Sequence, residues 1–144
     1  MQIAEILRSK GSDVVTVAPH TSVRALLATL ADHNIGAVVV SPDGYRIAGI
    51  VSERDVVRSL HTCGADLLDL PVESIMTAVV HTCAPEDPVE GLRRTMTEHR
   101  IRHLPVLAQG RLVGIVSIGD VVKSAISELV GERQHLVRYL QGQY

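Results

Sequence analysis

Phenylalanine and tryptophan are absent from this 144-residue chain and tyrosine occurs three times, so its 46% of apolar residues must build an aliphatic core of Val, Ile, Leu and Ala. A chain of this length buries on the order of 70% of its unfolded surface and needs no covalent staples. Cysteine is scarce too: Cys63 and Cys83 are too few for a disulfide framework. Charges alternate in sign with a net of −2 and no basic stripe, so nucleic acid is not expected as a partner. The longest apolar run, "IGAVVV" (35–40), is far too short to cross a bilayer, and no membrane partner is expected. The opening "MQIAEILRSKG" carries Glu5 early and no apolar stretch of signal-peptide length, which predicts a cytoplasmic protein with reduced thiols. There is no Gly-x-Gly-x-x-Gly, no P-loop and no nucleophile with an assigned base. The expectation is a chain that is not an enzyme and requires no cofactor.

What is present is one phrase written twice. "GIVSERDVV" (49–57) returns as "GIVSIGDVV" (114–122), with Gly49 on Gly114, Ser52 on Ser117 and Asp55 on Asp120 at an offset of 65. At an offset of 66, Val14 falls on Val80, Thr16 on Thr82, Pro19 on Pro85, Val23 on Val89, His33 on His99, Ile35 on Ile101 and Val40 on Val106. The missing residue lies where "SPDGYR" faces "AQGR", a turn in both copies that tolerates a length change. Upstream, "IAEIL" (3–7) resembles "VESIM" (72–76), so each half has a similar lead-in.

Periodicity predicts the elements. "DVVTV" and "VVHTC" are short strands ended by proline-containing loops, and "IGAVVVS", "YRIAGIV", "IRHLPVL" and "RLVGIVS" are further strands. "SVRALLATLADHN" puts Val23, Leu26, Leu27 and Leu30 on one helical face, and "DPVEGLRRTMTEHR" does so with Val89, Leu92 and Met96. A helix opens at Ser52 and at Ser117, so each half reads β-α-β-β-α and the class is α+β. Two such halves bury their sheets best against one another. The last helix keeps Val121, Val122, Ala125, Ile126, Leu129, Leu136 and Leu140 at helical spacing, an apolar stripe that needs a partner, with a kink expected at Gly131. The predicted units are 1–68 (first repeat with its lead-in), 69–128 (second repeat) and 129–144 (a C-terminal helical extension).

Ser-x-x-Asp before an apolar helix is first of all a capping box, which needs no ligand. The same geometry also suits a nucleotide: free N–H groups for a phosphate, and a hydroxyl with a carboxylate for the two hydroxyls of a ribose. Arg54 adds positive charge to the first copy, and Gly119 leaves room for close approach in the second.

The paired "GIVSxxD" phrases, the strand exits, "HNIGAVVV", "HRIRHLPVL" and the two lead-ins together resemble a tandem pair of CBS (cystathionine-β-synthase) domains, a Bateman module, over roughly residues 3 to 130. The resemblance implies two repeats packed with pseudo-two-fold symmetry and an adenosine-containing ligand such as AMP, ATP, NAD or S-adenosylmethionine in the clefts between them. AMP is favoured, with ATP and NAD(H) as the other candidates. By the same resemblance Ser52 with Asp55, and Ser117 with Asp120, face the riboses of two related sites. Thr16, Val17 and Ala18, and in the second copy Thr82, Cys83 and Ala84, approach the adenine. Gly36, Ala37 and Val38, and Arg102, His103, Leu104 and Pro105, form the opposite wall, and the change from Gly36 and Ala37 to Arg102 and His103 makes the two sites unequal. The implied protein is a stand-alone sensor, a homodimer that acts on an unidentified protein target.

Two alternatives accompany this reading. The first is a ligand-free protein-interaction dimer in which both Ser-x-x-Asp turns are caps only. The second is a metal or redox sensor: "HTC" occurs at 61–63 and again at 81–83, and His61, Cys63, His81 and Cys83 are the residue types of a zinc set or a thiol switch. His33 and His99 recur at matching helix ends, where an imidazole can meet the last carbonyls.

Overall fold

The computed structural model describes residues 1–11, 13–78 and 80–142. In chain order the elements are α1 (Ile3–Lys10), β1 (Thr16–Val17), α2 (Val23–His33), β2 (Ala37–Val40), β3 (Gly49–Ser52), α3 (Glu53–Cys63), two short 3-10 turns (Gly64–Asp69 and Val72–Ser74), α4 (Val89–His99), β4 (His103–Ala108), β5 (Arg111–Ser117) and α5 (Ile118–Leu140). The class is α+β, as the periodicity implies, and the repeat is visible in the hydrogen bonds. Gly36 O accepts the Glu53 N–H at 3.0 Å, and its counterpart Arg102 O accepts the Ile118 N–H at 2.8 Å. Each helix that follows the repeated phrase is thereby tied to the strand start of its own copy.

The sheets are less equal than the sequences. In the first half β1 runs parallel to β2, which pairs antiparallel with β3, so three strands result. Among the described residues of the second half only β4 and β5 form a ladder, with a register shift between Val106 and Leu107. The expected strand "VVHTC" is reduced to a single parallel bridge of Cys83 with Val106 (Val79, within that stretch, lies outside the described residues). Pro105 explains part of this loss. It offers a carbonyl to the Cys83 N–H at 3.1 Å but has no N–H to return towards His81, and beyond the Leu107 N–H that Cys83 O accepts at 2.8 Å, Pro85 likewise has no N–H to give.

The core is aliphatic and double. One cluster holds Val17, Val23, Leu26, Leu30, Val38, Val40, Val51 and Val56 from the first repeat. The other holds Val89, Leu92, Met96, Leu104, Val106, Val116 and Val121 from the second. Each such side chain contributes on the order of 1.5–3 kcal/mol by leaving water. Leu27 does not join them: it is 37% exposed, because α2 turns a narrower apolar face to the sheet than a four-residue stripe requires. Met96, Leu92 and Val89 are all buried, as their spacing predicts.

The two lead-ins cross over. α1 belongs to the first repeat in sequence, yet Ile3, Ile6 and Leu7 are buried in the core of the second. The 3-10 segment, through Leu67 and Val72, is buried in the core of the first. Matching bridges, Gln2 with Pro88 and Ser22 with Pro71, pin each crossing. This exchange accounts for the repeated glycine of the "GIVS" phrase. A Cβ on Gly49 would come within 2.5 Å of Met76 Sδ and 2.8 Å of the Thr77 carbonyl, and one on Gly114 within 2.6 Å of Leu7 Cδ2. Both glycines make room for the lead-in of the other half.

Helix α5 is unbroken through Gly131, so the expected kink does not interrupt it. Val121 is buried, but Val122, Ile126, Leu129, Leu136 and Leu140 are exposed. Of the C-terminal extension 129–144, Gln143 and Tyr144 lie outside the described residues. Among the described residues no helix is long and apolar enough to cross a membrane.

Candidate functional site

Both repeated phrases fold as complete capping boxes. At the start of α3 the Ser52 N–H donates to Asp55 Oδ2 at 2.9 Å, the Ser52 hydroxyl lies 3.1 Å from the same oxygen, and the Asp55 N–H returns to Ser52 Oγ at 3.4 Å. At the start of α5 the corresponding distances are 2.8, 3.0 and 3.2 Å for Ser117 and Asp120. The structural role is therefore real in both copies. Capping also uses up part of what a phosphate would want. The Glu53 N–H goes to Gly36 O and the Asp55 N–H to Ser52 Oγ, so two first-turn donors of α3 are already taken.

A cleft of about 750 Å³ opens beside the first cap. One wall comes from the first repeat: Gly36, Ala37, Ile50, the cap residue Ser52, and the α3 residues Glu53, Arg54, Asp55, Val57 and Arg58. The other comes from the second repeat and its lead-in: Thr77, Val80, His81, and the α4–β4 junction from His99 to His103. A smaller hollow of about 280 Å³ continues from it, sharing Arg54, Arg100, Ile101 and Arg102 and adding Met96, Thr97 and Ile118. The site is thus composite, with the cap of one copy opposite the strand entry of the other.

Its electrostatics are lopsided. Arg54, Arg58, Arg100 and Arg102 line the cleft against two carboxylates, Glu53 and Asp55. Among the described residues none of the four arginines forms a salt bridge, so their charge is available to an anion. Arg100 is held in the left-handed region (φ 53°) at the end of α4, where the first repeat has Asn34 (φ 51°). His81 and His99 stack with ring centroids 3.9 Å apart, whereas His33, the counterpart of His99, bonds Thr29 O at 3.0 Å through Nδ1. Burial lowers the pKa of His103 from its ordinary value, helped by Lys10 and Arg102 and opposed by Glu53 and Asp120, which favours the neutral ring.

The cleft gathers Gly36, Ala37, Ser52, Arg54, Asp55, Arg102 and His103 of the residues singled out in the sequence. Thr16 and Val17 are instead paired along β2, and Ala18 follows them into a turn. Val38, Leu104 and Val17 are buried in the cores. Pro105 is tied to Cys83, and the Ala84 N–H to Asp87 Oδ2 at 2.8 Å, so with Thr82 they lie outside the cleft lining. Ser117, Gly119 and Asp120 belong to the second cap. Sequence reasoning missed Ile50, Arg58, Thr77, Val80, His81, Arg100 and Ile101 as wall residues. All but Arg58, which lies three positions after Asp55, stand a few positions upstream of the stretches it named.

The His-Thr-Cys pairs do not converge on a metal. Among the described residues no three His, Cys, Asp or Glu side chains form a group that could hold an ion. His61 and Cys63 ride on the last turn of α3 and are exposed, while His81 turns into the cleft and Cys83 packs against the second core. Both thiols are free, and burial, with the charge of Asp87, pushes that of Cys83 up to about 12, far from a reactive thiolate.

The family profile of the CBS domain matches residues 3–62 and 72–127. A CBS domain-containing mitochondrial protein of Arabidopsis thaliana is 35% identical over 150 aligned residues, covering 99% of this chain and 73% of that protein. The crystal structure of a CBS-domain containing protein from Agrobacterium tumefaciens superposes with a TM-score of 0.84 at 42% identity, covering 87% of this chain and 99% of that one. A CBS domain protein from Pyrobaculum aerophilum, solved complexed with AMP, has a TM-score of 0.73 at 30% identity over 83% of this chain and 89% of that one.

Proposed function

The chain belongs to the CBS-domain family as a tandem pair, and from that premise we propose that it is a regulatory module, not a catalyst, which binds an adenine nucleotide in the cleft at the first cap. The observation that carries this reading is the pairing of Ser52 and Asp55, suited to a ribose diol, with four arginines that have no salt-bridge partner among the described residues. The AMP complex of the relative from Pyrobaculum aerophilum supports the ligand class. AMP meets the minimum of adenine, ribose and phosphate, but the arginine excess favours additional phosphate. ADP and ATP are therefore expected to bind more tightly than AMP, with the pyrophosphate of NAD(H) between them. S-adenosylmethionine, whose sulfonium and ammonium would face the same arginines, is expected to bind least.

Asp55→Ala should abolish binding in titration calorimetry, because the carboxylate that accepts the diol is gone, while Asp120→Ala should leave it in place. Equal binding by AMP, ATP and S-adenosylmethionine would remove the basis for the arginine argument. The sensor role, the cytoplasmic location, the homodimer and a protein target that reads the bound state belong to the same proposal. The exposed apolar residues of α5 support the dimer.

A further inference from the structure

The two caps are the same box, but they meet different groups from the lead-in of the other repeat. At the first, Ile50 O accepts the Thr77 backbone N–H at 2.9 Å. At the second, the matching carbonyl of Ile115 accepts the Lys10 ammonium at 2.9 Å, and the same ammonium reaches on to Asp120 Oδ2 at 2.7 Å. α1 continues as a helix to Lys10, so a side chain does there what a backbone bridge does in the other half. We infer that Lys10 is the residue that makes the two caps unequal, holding the Asp120 carboxylate as a built-in cation and confining the nucleotide to the first cap. This inference rests on the nucleotide reading of that first cap.

Charge and chemistry point the same way. Asp55 has no salt bridge among the described residues; Arg54 and Arg58 flank it on its own wall of the cleft, and Arg100 and Arg102 stand on the opposite wall. The counterparts of Arg54, Arg100 and Arg102 in the repeat are Gly119, Asn34 and Gly36, and only Arg58 keeps a cation at its counterpart, Lys123, so the second cap has one cation where the first has four arginines. A diol entering there would have to displace an ammonium 2.7 Å from the carboxylate, and no phosphate-binding cluster would offset the loss. Burial alone would raise the pKa of Asp120, yet the Lys10 hydrogen bond and charge, with the Ser117 N–H, hold it below its ordinary value. The carboxylate is thus already neutralised by the chain itself.

Titration calorimetry with AMP tests this. The wild type should take up one AMP per chain, and Asp55→Ala none. Lys10→Met should add a second AMP, bound more weakly than the first because the second cap lacks the arginine wall, and Lys10→Met with Asp55→Ala should bind only that weaker one, while Lys10→Arg keeps the wild-type stoichiometry. If Lys10→Met does not melt cooperatively, Lys10→Gln carries the same test. Two AMP per wild-type chain, or a folded Lys10→Met/Asp55→Ala protein that binds none, would overturn the role of Lys10 and leave the nucleotide reading standing. No AMP bound by any variant would overturn both.

Discussion

Arg100 shows folding and binding in competition at one residue. An L side chain in the left-handed region carries a steric cost that Asn tolerates better than Arg, and the first repeat has Asn34 at the matching position. Arg100→Asn should therefore raise stability in urea melts by about 0.5–1 kcal/mol. It should also weaken ATP more than AMP, since a wall arginine is lost from the cleft. A variant that is both less stable and unchanged in the ATP-to-AMP ratio would contradict this. His103 supplies a pH dependence. Burial, then Lys10, depresses its folded pKa below 6.5, so the unfolded chain takes up the proton first as pH falls. The stability present above about pH 6.5 is lost progressively from there down towards the folded pKa. Urea melts on either side of that value should show the drop, and His103→Gln should flatten it. Bound phosphate favours the charged ring, so ATP affinity should rise as pH falls through the same window.

At the scale of elements, the crossing of the lead-ins is the feature that makes two weak halves one structure. Gly49→Ala would drive a Cβ against the Thr77 carbonyl, which is backbone and cannot swing away, whereas Gly114→Ala meets the end of the Leu7 side chain. Gly49→Ala should cost about 1–3 kcal/mol in a denaturant melt and Gly114→Ala distinctly less. Equal costs would mean that the two crossings are equally tight. This feature was not legible in the sequence. Matching "IAEIL" to "VESIM" reveals two lead-ins but not which core each enters, because Ile3, Ile6 and Leu7 have the same apolar pattern whichever core receives them. The caps at Ser52 and Ser117, the buried faces of α2 and α4 and the β4–β5 ladder were legible, since each is fixed by local period. The cleft was half legible. Asp55 stands in a repeated phrase, but His81, Arg100 and Arg102 line the cleft from other elements, and an alignment of repeat to repeat places each residue only against its own counterpart. The lone bridge at Cys83 escaped for a related reason: Pro105, on another strand, withholds the donor.

At the scale of the whole molecule, α5 extends its C-terminal half away from the body with Leu129, Leu136 and Leu140 exposed. Apolar residues at helical spacing on a surface suit a second copy of the same helix. Light scattering should give the mass of a dimer, and Leu129→Glu with Leu136→Glu should halve it while the chain still melts cooperatively. A monomeric wild type would contradict the dimer.

If the first cap and its arginines hold an adenine nucleotide, a thermal-shift series with AMP, ADP, ATP and S-adenosylmethionine will register it. A ligand at a hundredfold excess over its dissociation constant adds about 2.7 kcal/mol, a rise of a few degrees. The rise should grow with phosphate number, disappear in Asp55→Ala and survive in Asp120→Ala. No rise at millimolar nucleotide, or a rise lost only in Asp120→Ala, would contradict it and leave the first Ser-x-x-Asp as a helix cap alone.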